Sequence, residues 1–379
     1  MSDVTLSVNG SPLFSSSAVV TVDPIEAAIA ERYLRPSEQE HRFTSTGVKF
    51  WKHRAAMEGY RDGTGHSVIS THIAPEGRCN LSCDYCSVTH RTFHSTIPLE
   101  TIQDYVTKLK SRGLKAVILT GGGEPTVYKH FNELGEWLLD EGLDLALITN
   151  GTQFKRVSDR ILDGLSWLRI SMNRFEHWER RITVPMDRVG AGTVVGMSLC
   201  HSGDNSDDEF LEKVGRIADE NGVSYVRVLP DCMLPQAELV REHRRLQSLF
   251  DAMPAGGKFF HQVKIHSAPT QCTCHQSFFR PYLSEEVDPE SGEPGLVFPC
   301  DSVVLNDQAM KFKSIFAVCR PHEILDYLDG RIEQKFDATV HCTGCVFART
   351  VNMLDDYVRK GEEHFDEFEH AEMRHENFV

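Results

Sequence analysis

The chain has 379 residues, 40% hydrophobic and 25% charged, enough for one large domain with an appendage or for two domains. Its formal charge of −15 argues against an electrostatic grip on nucleic acid across the whole surface, while leaving room for a local basic cleft. No run of 18 apolar residues could span a membrane, and the first residues lack the basic-then-apolar start of a secretory signal, so the reducing cytoplasm is the expected compartment. In that compartment clustered cysteines bind metal or do redox work more often than they form disulfides, and the chain has eleven.

In chain order, residues 1–66 read as an N-terminal extension, with a short helix at PIEAAIAERYL (24–34) and a mixed-charge lead-in helix over 48–62. From residue 68 short β-branched runs alternate with amphipathic ones. The strands are VISTHI (68–73), AVILT (116–120), LALIT (145–149), LRIS (168–171), VVGMSL (194–199) and YVRVL (225–229). Between them Ile102, Val106 and Leu109 share a helix face, as do Phe131, Leu134 and Leu138, and Phe210, Val214 and Ile217. Gly113, Gly142 and Gly222 stand where C-terminal caps belong. Six β-α units in succession imply parallel strands, as an open doubly wound sheet or a partial barrel. The alternation stops near 250–257. Residues 67–252 form the expected core, 253–350 a smaller cysteine-bearing domain, and 351–379 an acidic helix or tail. From Asp355 onward nine Asp/Glu face three Lys/Arg, which reads as a solvated face.

The segment GRCNLSCDYCSVTHR (77–91) holds Cys79, Cys83 and Cys86 in a C-x3-C-x2-C spacing. A zinc site completed by His90 or His94, a redox pair at Cys83 and Cys86, and an iron–sulfur cube held at three corners all suit it. Three thiolates on a four-iron cluster leave one iron open for a ligand that is not protein. The motif follows the first strand, at the sheet end where parallel α/β folds place active sites. One unit later, straight after AVILT, comes GGGEP (121–125).

The C-x3-C-x-Tyr-C motif together with GGGEP resembles the radical S-adenosylmethionine (SAM) superfamily over residues 68–230. The resemblance implies a partial (β/α)6 TIM-like barrel in which Cys79, Cys83 and Cys86 hold a [4Fe-4S] cluster and SAM chelates the open iron. It implies that Gly122, Gly123 and Glu124 border the SAM amino group and Tyr85 the adenine. Asn150, Ser171 and Asn173 would be further SAM contacts, or simply turn residues. The implied chemistry is reductive cleavage of SAM to a 5′-deoxyadenosyl radical that takes hydrogen from an unactivated carbon. A one-electron reductant such as flavodoxin or ferredoxin would be a partner, and the enzyme would be oxygen-sensitive.

The later cysteines are Cys272, Cys274, Cys300, Cys319, Cys342 and Cys345. Six unrelated thiols, or a zinc site from Cys272, Cys274, Cys342 and Cys345, would account for them. GLVFPC is a Gly-x4-Cys ending at Cys300, and CTGC (342–345) is a C-x2-C. That order resembles the twitch form of the twitch/SPASM auxiliary-cluster domains, a small α+β appendage. It implies one auxiliary [4Fe-4S] cluster on Cys274, Cys300, Cys342 and Cys345, with Cys272 and Cys319 as alternates, aiding electron transfer.

Cys200 and Cys232 fall just beyond the fifth and sixth strands, and Asp231 adjoins the latter. They are candidate hydrogen or proton donors to a substrate, or in the cysteines' case small apolar fillers. The substrate expected is a small molecule such as a sugar, cyclitol or amino-acid derivative, undergoing oxidation or rearrangement. A modified nucleoside in DNA or RNA, or a peptide, is the alternative.

Overall fold

A computed structural model describes residues 38–44, 47–89, 91–175, 177–252, 257–265, 272–305, 313–342 and 344–379, with the short pairs 7–8 and 11–12. The helix expected at 24–34 lies outside the described residues. The lead-in segment forms a 3-10 turn, Gly47–Lys52, and a helix α1, Arg54–Arg61.

The six expected strands form in the expected order. They are β1 (Ser70–Ile73), β2 (Ala116–Leu119), β3 (Asp144–Thr149), β4 (Leu165–Ser171), β5 (Val194–His201) and β6 (Tyr225–Pro230), each parallel to the next. The crossover helices include α2 (Leu99–Lys110), α3 (Phe131–Asp140) and α4 (Asp208–Glu220). Gly113, Gly142 and Gly222 end them at φ of 105°, 73° and 66°, values at which any side chain would strain the backbone.

Because both faces of the parallel sheet are covered, strand residues sort by parity into two cores. Val117, Leu119, Leu145, Leu147, Leu168 and Ile170 pack under the helices. Ala116, Ile118, Ala146, Trp167, Val194 and Tyr225 point to the inner face. There Phe43 stacks on Tyr225 at 4.5 Å, and Phe378 meets the edge of Trp167 at 5.5 Å.

The sheet is open and wider than the six core strands. β7 (Phe259–His261) adds parallel to β6. On the opposite edge β8 (Tyr282–Val287) lies parallel to β1, and β9 (Pro294–Phe298) pairs antiparallel with β8. The cysteine-bearing segment after 257 is therefore joined to the core by backbone hydrogen bonds at both sheet edges. Residues 253–256, inside the expected boundary, lie outside the described residues.

The acidic C-terminal run keeps its solvated face, with seven of its nine acids exposed, while its helix packs inward by an apolar stripe. Helix α5 (Ala348–Lys360) sends Val351, Leu354 and Tyr357 inward, Tyr357 against Trp51 at 5.7 Å. Asp355 is buried too, 3.4 Å from His275 and 3.3 Å from Arg359. The histidines are also not all scattered surface: His243 and His261 are buried and 2.8 Å apart.

His53 ties this layer to the sheet. Its Nε2 stands 3.0 Å from the Glu376 carbonyl and its Nδ1 3.3 Å from the Lys115 ammonium. Lys115 can only donate, so the ring is neutral with its proton on Nε2. Burial, with Lys115 and Lys49 adding repulsion, pushes His53 down to about 4, against a raising contribution from the Glu376 carbonyl. A histidine depressed this way contributes stability that is present above about pH 6.5 and lost as pH falls toward 4. The urea midpoint of the holoprotein should therefore drop between pH 7 and pH 5.5, and drop less in His53→Gln.

Candidate active site

The three-cysteine loop leaves the carboxyl end of β1 and is tied down at both ends. Glu76 is fully buried and accepts from Arg78 Nε at 3.0 Å, Arg78 Nη2 at 2.7 Å and Thr96 Oγ1 at 3.1 Å. Arg91 is buried and donates to the carbonyls of Gly77 at 2.6 Å and Val88 at 2.9 Å, with Nη1 3.6 Å from Cys86 Sγ. At the other end Asn150 Nδ2 donates to Asn80 Oδ1 at 2.8 Å and lies 3.9 Å from Cys79 Sγ, while Asn80 donates to Thr152 Oγ1 at 2.7 Å. Two of the three sulfurs thus face N–H donors, which favour a thiolate over a thiol. In the free protein burial and the neighbouring thiols push Cys83 up to about 11, and burial also raises Cys79. His94 is exposed, its ring 6.2 Å from Phe93, and His90 lies outside the described residues.

GGGEP closes on this loop. The Gly123 N–H donates to the Glu76 carbonyl and the Glu124 N–H to the Arg78 carbonyl, both at 2.8 Å. A Cβ on Gly123 would lie 2.0 Å from the Arg78 oxygen, and one on Gly122 would lie 1.7 Å from Glu285 Oε1 of β8. Both positions therefore need glycine for close approach. Gly123→Ala must push two backbone segments apart. It should lower the stability of the protein by about 1–3 kcal/mol, read as a fall in the urea midpoint.

The Glu124 side chain does something the motif did not disclose. It is buried, and its carboxylate accepts from Thr126 Oγ1 and Thr149 Oγ1, each at 2.6 Å, from Asn150 N at 2.7 Å and from Thr126 N at 3.1 Å. Burial pushes its carboxyl up, while these four donors hold it down. Glu124 thereby fixes the end of β3 and presents Asn150 to Cys79.

Tyr85 is held by a residue that spacing did not single out. Its hydroxyl meets Asn173 Oδ1 and accepts from Asn205 Nδ2 at 2.8 Å, so the loops after β4 and β5 both fasten it. Ser171 ends β4, paired in register with Ser198 of β5. Cys200, near the end of β5, has its thiol pushed up by burial and then by Asp231, Cys232, Asp84 and Cys83. These groups therefore crowd one mouth with the three-cysteine loop. Asp231 accepts from the Met233 N–H at 2.8 Å, and Cys232 Sγ lies 3.6 Å from the Pro230 carbonyl. Asn80, Arg91, Thr152 and Asn205 are ordinary loop polar residues in the sequence. Only the fold shows what they grip.

The second set of thiols divides. Cys274, Cys300, Cys342 and Cys345 line one small cavity with Phe316, Phe336 and Gln276. Gln276 is buried, and neither its Oε1 nor its Nε2 has a hydrogen-bond partner. Cys272 stands at the margin, 3.2 Å from Asn352 Oδ1. Cys319 is elsewhere. It bridges antiparallel to Val297 of β9 and is buried in the helix-side core. Phe347 and Val346 line both this cavity and a larger one on the inner face of the sheet. Among the described residues, no three His, Cys, Asp or Glu side chains are arranged to hold a single metal ion.

Comparison with known proteins places residues 74–181 in the family model described as the Radical SAM superfamily. An S-adenosylmethionine-dependent nucleotide dehydratase of Selenomonas ruminantium is 32% identical over 84 residues, 22% of this chain and 30% of that one. A GTP 3′,8-cyclase of Caulobacter vibrioides is 32% identical over 124 residues, 30% of this chain and 34% of that one. The chain thus spans about a third of the length of these curated relatives. Among solved structures, Streptococcus suis SuiB bound to S-adenosylmethionine aligns over 72% of each chain at 13% identity, with a TM-score of 0.47.

Proposed function

We propose that this chain, whose residues 74–181 match the Radical SAM superfamily model, is an enzyme that cleaves SAM reductively and removes hydrogen from an unactivated substrate carbon. The observation that carries this reading is the junction of the three-cysteine loop, the GGGEP glycines and Asn150 at the carboxyl end of the sheet. The residues fit the cofactors. Cys79, Cys83 and Cys86 would hold a four-iron cluster with one open iron, and Gly122 and Gly123 let the GGGEP segment close on the Arg78 backbone and the Glu285 carboxylate beside that loop. When bound, the cluster and SAM supply one-electron, hydrogen-abstracting chemistry. Arg91 and Asn150 offset thiolate charge at Cys86 and Cys79. Asn173 and Asn205 orient Tyr85 over the same mouth. Cys200 and Asp231 stand there as proton or hydrogen donors, Cys200 protonated at neutral pH because burial raises its thiol.

The same reading assigns Cys274, Cys300, Cys342 and Cys345 to an auxiliary [4Fe-4S] cluster, with residues 272–345 as a twitch-like unit. Four convergent thiols and the unpartnered Gln276 amide favour a group larger than a zinc ion there. Phe347 lines both that site and the inner-face cavity, so a cluster held there would adjoin the cavity and could accept the electron left on a substrate radical.

The test is product analysis. Anaerobically reconstituted protein given dithionite and SAM should release 5′-deoxyadenosine and methionine. Cys342→Ala/Cys345→Ala should keep this cleavage and lose about half the iron. Absence of 5′-deoxyadenosine from an iron-loaded wild type would overturn the reading.

A further inference from the structure

The inner face of the sheet encloses a cavity of about 270 Å³. Its lining contains seven Lys/Arg against two Asp/Glu, in a chain where acids outnumber those bases 55 to 40. The excess is densest around Arg169 of β4, Arg227 of β6, Lys264, Arg280 and the single carboxylate Asp301. Neutral groups orient most of these cations. Arg169 donates to Tyr225 Oη at 3.1 Å and the Phe43 carbonyl at 3.0 Å. Arg227 donates to Ser198 Oγ at 2.8 Å and Gln262 Oε1 at 3.0 Å. Arg280 reaches Asp301 Oδ1 at 3.4 Å.

Buried charges normally come with partners; here Arg280 also donates to the Val379 main-chain oxygen at 2.9 Å, and Asp301 is the one side-chain carboxylate set among the four cations. The strain is felt by its members. Burial and then Arg169 lower Arg227 to about 9, and burial lowers Lys264. His72 of β1 lies 3.5 Å from Asp301, and its Nε2 is buried with no hydrogen-bond partner. Such a group is completed by an anionic ligand, not by protein.

We propose that this cavity binds a phosphate group of the substrate, so that the enzyme acts on a phosphorylated small molecule. A carboxylate would balance one of the excess charges, whereas a phosphate balances about two and matches the guanidinium fork. The site also lies where a substrate handle is useful. Arg169 and Arg227 lie on β4 and β6, whose carboxyl ends lead on to Asn173 and to Asp231 and Cys232, so the cationic group sits on strands that reach the candidate active site. The substrate role rests on the radical SAM reading, while phosphate binding itself does not.

The test is calorimetric titration of reconstituted protein with inorganic pyrophosphate, phosphate and acetate at constant ionic strength. Saturable pyrophosphate binding is expected in wild type and in Cys79→Ala/Cys83→Ala/Cys86→Ala, which fails to cleave SAM. Arg227→Gln and Arg169→Gln should each weaken it at least tenfold. Asp301→Asn should tighten it severalfold, a gain that a damaged fold would not give. No saturable binding in wild type, binding insensitive to both arginines, or equal arginine-dependent binding of acetate would each overturn the proposal. Phosphate binding without any SAM cleavage in wild type would leave this site standing and sink the radical SAM reading instead.

Discussion

Cys79→Ala/Cys83→Ala/Cys86→Ala should lower the iron of anaerobically reconstituted protein from about eight to about four atoms per chain and abolish 5′-deoxyadenosine formation. The two losses have one cause. The three sulfurs lie in one loop, and His94, the candidate substitute among the described residues, is exposed beside Phe93. The loop's own scaffold does not depend on the thiols. Glu76 with Arg78 and Thr96, and Arg91 with two backbone carbonyls, hold it without them. The triple variant should therefore keep the wild-type circular dichroism and the second set of irons. That second set has its own enclosure, since Cys274, Cys300, Cys342 and Cys345 share a cavity from which the first three are absent. A fall from about four irons to near zero would remove the auxiliary cluster from the account while leaving the SAM site intact.

The six parallel strands were legible because each is a short β-branched run bounded by helical periodicity and a glycine stop. The sheet's outer strands were not. β8, YLSEEV, carries Ser284, Glu285 and Glu286, and all three are buried. Charged residues at a strand centre ordinarily mark a solvent face, so nothing local announces a strand docked on β1. The inner cavity was hidden for the same reason. Arg169 in LRIS and Arg227 in YVRVL look like outward alternation, and only the covering of the open sheet's inner face turns that side into a cavity wall. Among the cysteines, spacing brought out the seven that gather in two places. It also admitted Cys319, whose position is fixed by pairing with Val297 and by no motif. Helix α5 shows the limit of charge counting. Of its two acids Asp356 is half-buried and Asp355 is buried beside His275, and the apolar stripe of Val351, Leu354 and Tyr357 decides where it sits.

Glu124→Ala should destabilise the protein by about 2–5 kcal/mol, because two buried backbone N–H groups, of Thr126 and Asn150, would lose their acceptor. The Thr126 and Thr149 hydroxyls can turn to other partners, so they add less. Glu124→Gln separates two roles for this residue. An amide keeps the volume but sets an NH2 against either the Thr126 or the Asn150 N–H, so a loss of about 1–3 kcal/mol is expected. If the carboxylate instead served SAM directly and nothing else, the glutamine variant would keep the wild-type urea midpoint and lose only SAM affinity. The observed geometry, with both oxygens already taken by protein donors, predicts that midpoint and affinity fall together. The affinity loss follows from the end of β3. Without the carboxylate, Asn150 is released from its backbone anchor, and Asn150 is what joins Asn80 and the Cys79 sulfur to the sheet. Thr149→Val removes one donor to the carboxylate and the acceptor of the Gly151 N–H at 3.2 Å but leaves the Thr126 and Asn150 N–H groups satisfied, so it should cost less than Glu124→Ala and spare SAM binding.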